Sequence, residues 1–137
     1  MVHTIRLRGP WVLRHPLLPA PVRFKSPGPV PVESIPDAGD VDERLPPKID
    51  LVRNFNRPTG LDETSVVALC GSLKADSVSV SLNQARLADV RRKSDQAQVL
   101  AFQLDVTSML QNSNEIALSC QPTTDGLAIV EVWLEIE

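Results

Sequence analysis

The chain has 137 residues, 42% of them hydrophobic and 23% charged, with a formal net charge of -3. That is enough for one domain, spanning 1–137, with a real core. No basic block extends beyond Arg91-Arg92-Lys93, which argues against nucleic acid as a partner, because phosphate binding relies on clustered positive charge.

No run approaches the ~20 apolar residues of a membrane span. The opening MVHTIRLRGPW shows no apolar secretory core, so a cytoplasmic location is the default expectation.

From the N-terminus, HTIRLRG alternates. Ile5 and Leu7 fall on one side, Arg6 and Arg8 on the other, as in a strand with one wet face. Trp11 shares the parity of Ile5 and Leu7 and is expected inward if the strand stays regular past Gly9. Residues 16–47 show no period and are rich in proline, which withholds a backbone donor and biases the residue before it toward extended shapes. They are expected to form an irregular wrap. Its apolar residues Val22, Phe24, Val30, Val32 and Ile35 are expected to pack.

KIDLVRNF reads as a strand, NRPTGLDE as the turn that ends it, and SVVALCG as a largely apolar central strand. DSVSVSL is the clearest alternation, with Val78, Val80 and Leu82 inward. A turn at Asn83-Gln84 leads to the short strand ARLADV. VLAFQLDV places Leu100, Phe102 and Leu104 inward, and NEIALSC does the same for Ile116, Leu118 and Cys120. AIVEVWLEI closes the series with Val130, Val132, Leu134 and Ile136 inward. No window longer than about one turn prefers the 3.6-residue period. The pattern predicts an all-β sandwich or barrel of about eight strands.

Between the strands ending at Asp105 and starting near Glu115, the side chains of Asp105 and Thr107 can accept bonds from backbone N–H groups and start a short helical turn at SML. Met109 or Leu110 is then expected to plug one end of the core. Asn112 and Asn114 suit turn or left-handed backbone. Cys70 and Cys120 both sit in apolar runs and are read as buried free thiols.

VSVSLNQARL followed by FQLDVTSMLQNSNEIALS, with LVRNFNRPTGLDETSVVALCGSL before them, resembles the sugar-binding domain of the family-two glycoside hydrolases, the β-galactosidase and β-glucuronidase group. The resemblance covers most of Ile5 to Glu137. It implies a jelly-roll, galactose-binding-domain-like β-sandwich without the catalytic barrel, often structural in that family. Gln84 stands where the family usually has a turn glycine, a departure that bears on the turn and on any sugar role of its loop.

Catalytic chemistry is sparse. His3 and His15 have no partner cluster, no Ser has a nucleophile-elbow context, and no Gly-rich phosphate loop is present. No His/Cys set has metal-ligand spacing. Asp37, Asp40, Asp42 and Glu43 lie close enough together to hold calcium but lack the full loop pattern, and a plain acidic loop is the leading reading. No cofactor is called for.

Trp133 shares parity with Glu131 and Glu135, opposite the apolar set of the last strand. A ring flanked by carboxylates can stack on a sugar while the acids take hydroxyls. The competing expectation makes Trp133 a floor for the proline-rich wrap. The sequence therefore points to a non-catalytic protein-interaction or assembly module, with a carbohydrate-binding module using Trp133, Glu131 and Glu135 as the alternative. Scarce aromatics and the lack of tyrosine favour the former.

Overall fold

A computed structural model describes residues 2–35, 48–91, 99–123 and 126–137. Among these residues there are eleven strands: β1 (His3–Arg6), β2 (Trp11–Arg14), β3 (Val22–Phe24), β4 (Gly28–Pro29), β5 (Ile49–Asn56), β6 (Val67–Lys74), β7 (Ser77–Leu82), β8 (Ala85–Arg91), β9 (Val99–Asp105), β10 (Ser113–Gln121) and β11 (Ala128–Ile136). One sheet has the order β1-β11-β6-β9, with β4 also paired to β11. The other runs β3-β2-β5-β10-β7-β8. All pairings are antiparallel. From β5 to β11 every connection except the β7–β8 hairpin passes from one sheet to the other. This is the double-sheet closure of a jelly-roll sandwich.

The core lies between the sheets and follows the alternation. Val78, Val80, Leu82, Ile116, Leu118, Cys120, Leu100 and Phe102 are all buried, and Leu104 packs against them. Each fully buried aliphatic side chain contributes roughly 1.5–3 kcal/mol, so these two-residue periods determine which face of each strand turns inward.

All eight strands expected from the sequence are present, and β2, β3 and β4 are additional. The chain leaves the first sheet after Leu7, whose N–H still bonds to the Val132 carbonyl at 2.8 Å, and enters the second at Trp11. Trp11 is fully buried as expected, but it lies in the other sheet, with its indole N–H donated to the Leu7 carbonyl at 2.9 Å.

The proline-rich wrap is more ordered than expected. β3 and β4 add edge pairing to the two sheets, and Val32–Ser34 forms a 3-10 turn. Phe24 and Val30 are buried, while Val22, Val32 and Ile35 pack against the core. The acidic run Asp37, Asp40, Asp42 and Glu43 and the pair Arg92-Lys93 lie outside the described residues.

One inward assignment is corrected. A register shift between Ile129 and Glu131 interrupts the alternation of β11. Val130 is 46% exposed and Ile129 takes the core position at 1%. A bulge adds one residue and so swaps the faces of what precedes it.

The corner after β9 is built from side-chain bonds. Asp105 Oδ1 accepts the Thr107 backbone N–H at 3.0 Å and its hydroxyl at 2.7 Å, an Asx-turn reaching two residues on. The 3-10 turn spans Thr107–Met109, one residue earlier than expected. Thr107 Oγ1 in turn accepts the Val67 N–H at 2.8 Å and ties the corner to β6. Leu110 is buried and Met109 packs on the core.

Neither Asn112 nor Asn114 has positive φ. Asn114 is instead 2% exposed and acts through its amide. Oδ1 accepts Gln111 N–H at 2.8 Å and Asn83 Nδ2 at 3.1 Å, and Nδ2 donates to the Gln111 carbonyl at 2.8 Å. Among the described residues, the non-glycine positions with left-handed backbone are Asn83 (φ 52°) and Gln84 (φ 71°), both central in the two-residue β7–β8 hairpin, as a type I′ turn requires. Asn83 Oδ1 also accepts the Glu115 N–H at 2.9 Å. The turn keeps its two-residue length without the glycine.

Candidate functional site

The outer face of the β1-β11-β6-β9 sheet carries the residues singled out from the last strand. Beyond the bulge, alternation puts Glu131, Trp133 and Glu135 on one side and Val132 and Leu134 in the core. Antiparallel register sets their neighbours. Trp133 lies between Arg6 and Cys70, and Gln103 follows Cys70. Glu135 lies between Thr4 and Ala68, and Glu131 faces Ser72.

Trp133 is partly buried, and its indole N–H donates to Glu135 Oε1 at 3.0 Å. Trp11, Phe24, Phe55 and Phe102 are all in the core, to which Trp133 does not belong. The apolar residues of the described wrap pack on that core as well. Cys70 is only 2% exposed although its row faces outward, where its register partners are Trp133 and Gln103. Burial, and secondarily the charge of Glu135, pushes its thiol up to about 11. Cys120, in the core, is pushed up to about 12, again by burial first and then by the charge of Asp50. Both thiols are free. Glu131 Oε1 is buried and has no hydrogen-bond partner among the described residues. A buried acceptor of this kind calls for a donor.

Trp133 lines none of four depressions bounded by described residues. Three of these run along the side where the chain passes from β1 to β2, and they are lined by cations that the sequence analysis gave no role. The signal was present in the distribution of charge: residues 1–32 contain no Asp or Glu.

His15 Nδ1 accepts the Leu17 N–H at 3.1 Å, and His3 is exposed on the edge strand β1. Among the described residues, no group of three or more His, Cys, Asp or Glu side chains could hold a metal ion. No helix among them is long and apolar enough to cross a membrane.

No protein-family model matches the chain, and no curated protein matches it. Solved structures do. The FMN-binding β-glucuronidase from Facaelibacterium prausnitzii L2-6 superposes with a TM-score of 0.71 at 18% identity, over 99% of this chain and 22% of that one. A Ruminococcus gnavus β-glucuronidase gives 0.71 at 12% identity, over 98% and 28%. A Bifidobacterium dentium β-glucuronidase complexed with coumarin-3-O-glucuronide gives 0.62 at 21% identity, over 88% and 20%. At these identities the likeness is one of fold. It bears out the resemblance to a β-sandwich domain of the family-two glycoside hydrolases, and the chain spans less than a third of the length of these relatives.

Proposed function

We propose that the chain is a non-catalytic β-sandwich module of a glycoside-hydrolase-type protein, and that it works by protein contact through the outer face centred on Trp133. The observation that carries this reading is the outer row itself. It presents one tryptophan, partly covered by its own strand neighbours, next to a Glu131 oxygen that is buried and unpartnered. Tryptophans anchor protein interfaces when a partner completes their burial, and a partner N–H or O–H would satisfy Glu131.

A carbohydrate-binding module is the second reading, favoured by the carboxylates of Glu131 and Glu135 on the same face as the ring. Three features count against it. Trp133 lines none of the four depressions described above, its N–H is already donated to Glu135, and no other aromatic residue joins it on this face.

Titration of tryptophan emission with neutral oligosaccharides and glucuronides separates the two. Trp11 is fully buried, so a ligand-induced change reports Trp133. The expected result is no saturable response at millimolar sugar. A saturable response that vanishes in a folded Trp133→Ala variant would establish the carbohydrate-binding reading in place of protein contact.

A further inference from the structure

Residues 1–32 carry Arg6, Arg8, Arg14, Arg23 and Lys25 and no acidic residue, and all 17 Asp and Glu side chains lie from Glu33 onward. The fold gathers the early cations on one side of an otherwise acidic molecule. β1 and β3 are edge strands of the two sheets, and the chain crosses between the sheets at Arg8–Pro10. A depression of about 480 Å3 there is lined by Arg8, Arg23, Lys25 and Ser26, with Pro10 and Phe24 as apolar wall. It shares Pro10 and Arg23 with a second depression of about 270 Å3, which Arg53 also lines.

Among the described residues these cations have few counter-charges. Among the described residues, Arg8, Arg23, Lys25 and Arg53 have no carboxylate within ion-pair distance, whereas Arg14 lies across from Asp50. Arg53 occupies an inward row of β5, partly buried. Its Nε donates to the Arg8 carbonyl at 2.6 Å and a terminal nitrogen to the Asn54 carbonyl at 2.7 Å. The guanidinium is thus held in place by neutral acceptors, and desolvation lowers its pKa from the ordinary value. An independent feature occurs at the same place: Ser26 is 4% exposed, and its hydroxyl is buried without a partner.

We propose that the side of the sandwich where β1 passes to β2 is a binding site for a tetrahedral oxyanion, a phosphate or sulfate group, held by Arg8, Arg23 and Lys25 with Arg53 at its margin. Such a group supplies what the depression lacks. Its charge offsets guanidinium groups with no carboxylate, its oxygens match the arginine fork, and it gives an orphan hydroxyl an acceptor. The group can be a free ion or the head of an ester, since the recognised chemistry is the same.

The test follows backbone amide and arginine Nε–H resonances of the whole chain. Inorganic phosphate, sulfate and a phosphate monoester are added separately at constant ionic strength set with chloride. The expected result is a saturable shift with a Kd on the order of 1 mM, confined to residues 8–9, 23–26 and Arg53. In Arg8→Gln/Arg23→Gln, which alters only exposed side chains, binding should weaken at least about tenfold. A tighter response to the monoester identifies an ester as the source; an equal or weaker one identifies the free ion. No saturation below ~20 mM, equal shifts at Lys74 and Arg86, or an unchanged response in the double variant would overturn the site. A response to an oligoglutamate peptide but to neither ion would overturn the oxyanion in favour of an acidic protein segment.

Discussion

Gly71→Ala tests how closely β6 and β9 pack side by side on the core face of their sheet. Gly71 is buried in the middle of β6, directly opposite Phe102 of β9. A Cβ added there would lie 2.4 Å from Phe102 Cζ and 2.5 Å from Cε1, against about 3.5–4 Å for carbon atoms at rest. The ring must move by about 1 Å in a core with no slack, because interiors are packed like organic crystals.

Overpacking of this kind costs about 1–3 kcal/mol, and a clash this short belongs at the upper end. Replacing glycine by alanine in a strand returns about 0.5–1 kcal/mol through the unfolded chain. The expected net loss is about 2 kcal/mol, read from urea unfolding. Phe102→Leu alone is expected to cost about 1–2 kcal/mol, but it removes the ring atoms that the new methyl meets. Gly71→Ala/Phe102→Leu should therefore be about as stable as Phe102→Leu, a coupling of roughly 2 kcal/mol by double-mutant cycle. Additive losses would refute the contact.

Gln84→Gly should stabilise the fold by about 0.5–1 kcal/mol, since a left-handed residue costs about 1–2 kcal/mol and part of that is returned by the freer unfolded glycine; a lower unfolding midpoint would contradict the turn assignment. Asp105→Ala should lower the midpoint at neutral pH. The Thr107 hydroxyl, then its backbone N–H, hold the Asp105 carboxyl below the usual carboxylate range. Its contribution is therefore present above the unfolded pKa of about 3.9 and is lost as pH falls through the lower folded value, so the variant should show a shallower acid limb; identical limbs would be inconsistent with the Asx-turn. Thiol titration near pH 8 should find almost no reactive cysteine in the native protein and two after unfolding, because the thiolate is the reactive form and burial disfavours it at both sites. Two fast-reacting native thiols would exclude their burial.

The fold was readable where alternation is unbroken. DSVSVSL and NEIALSC assigned their faces correctly because polar and apolar residues take turns there. On the closing strand, AIVEVWLEI runs through three apolar residues before its first charge, and nothing in Ile129-Val130 marks which one the bulge expels. The same parity did place Glu131, Trp133 and Glu135 on one face. It could not show that Cys70, on the outward row of the next strand, is buried, because its neighbours there are set by cross-strand register. β3 and β4 escaped notice because proline interrupts period-two reading, yet edge strands tolerate it. Asn114 was read as a turn residue from its backbone preference, while its role comes from its side-chain amide, which meets the Asn83 side chain and the Gln111 backbone only in the assembled corner. Arg53 was passed over as one charge in KIDLVRNF, although it stands on the inward row with Leu51 and Phe55.

The stability of Trp133→Ala bears most directly on whether the outer row is a contact face or part of the core. Full burial would make truncation cost about 3–5 kcal/mol. A partly buried ring outside the core cluster should lose only a share of that, about 1–2.5 kcal/mol by urea unfolding, with a cooperative transition retained. A loss of about 4 kcal/mol or more, or failure to fold, would make Trp133 a core residue and remove the outer face from consideration as a docking surface.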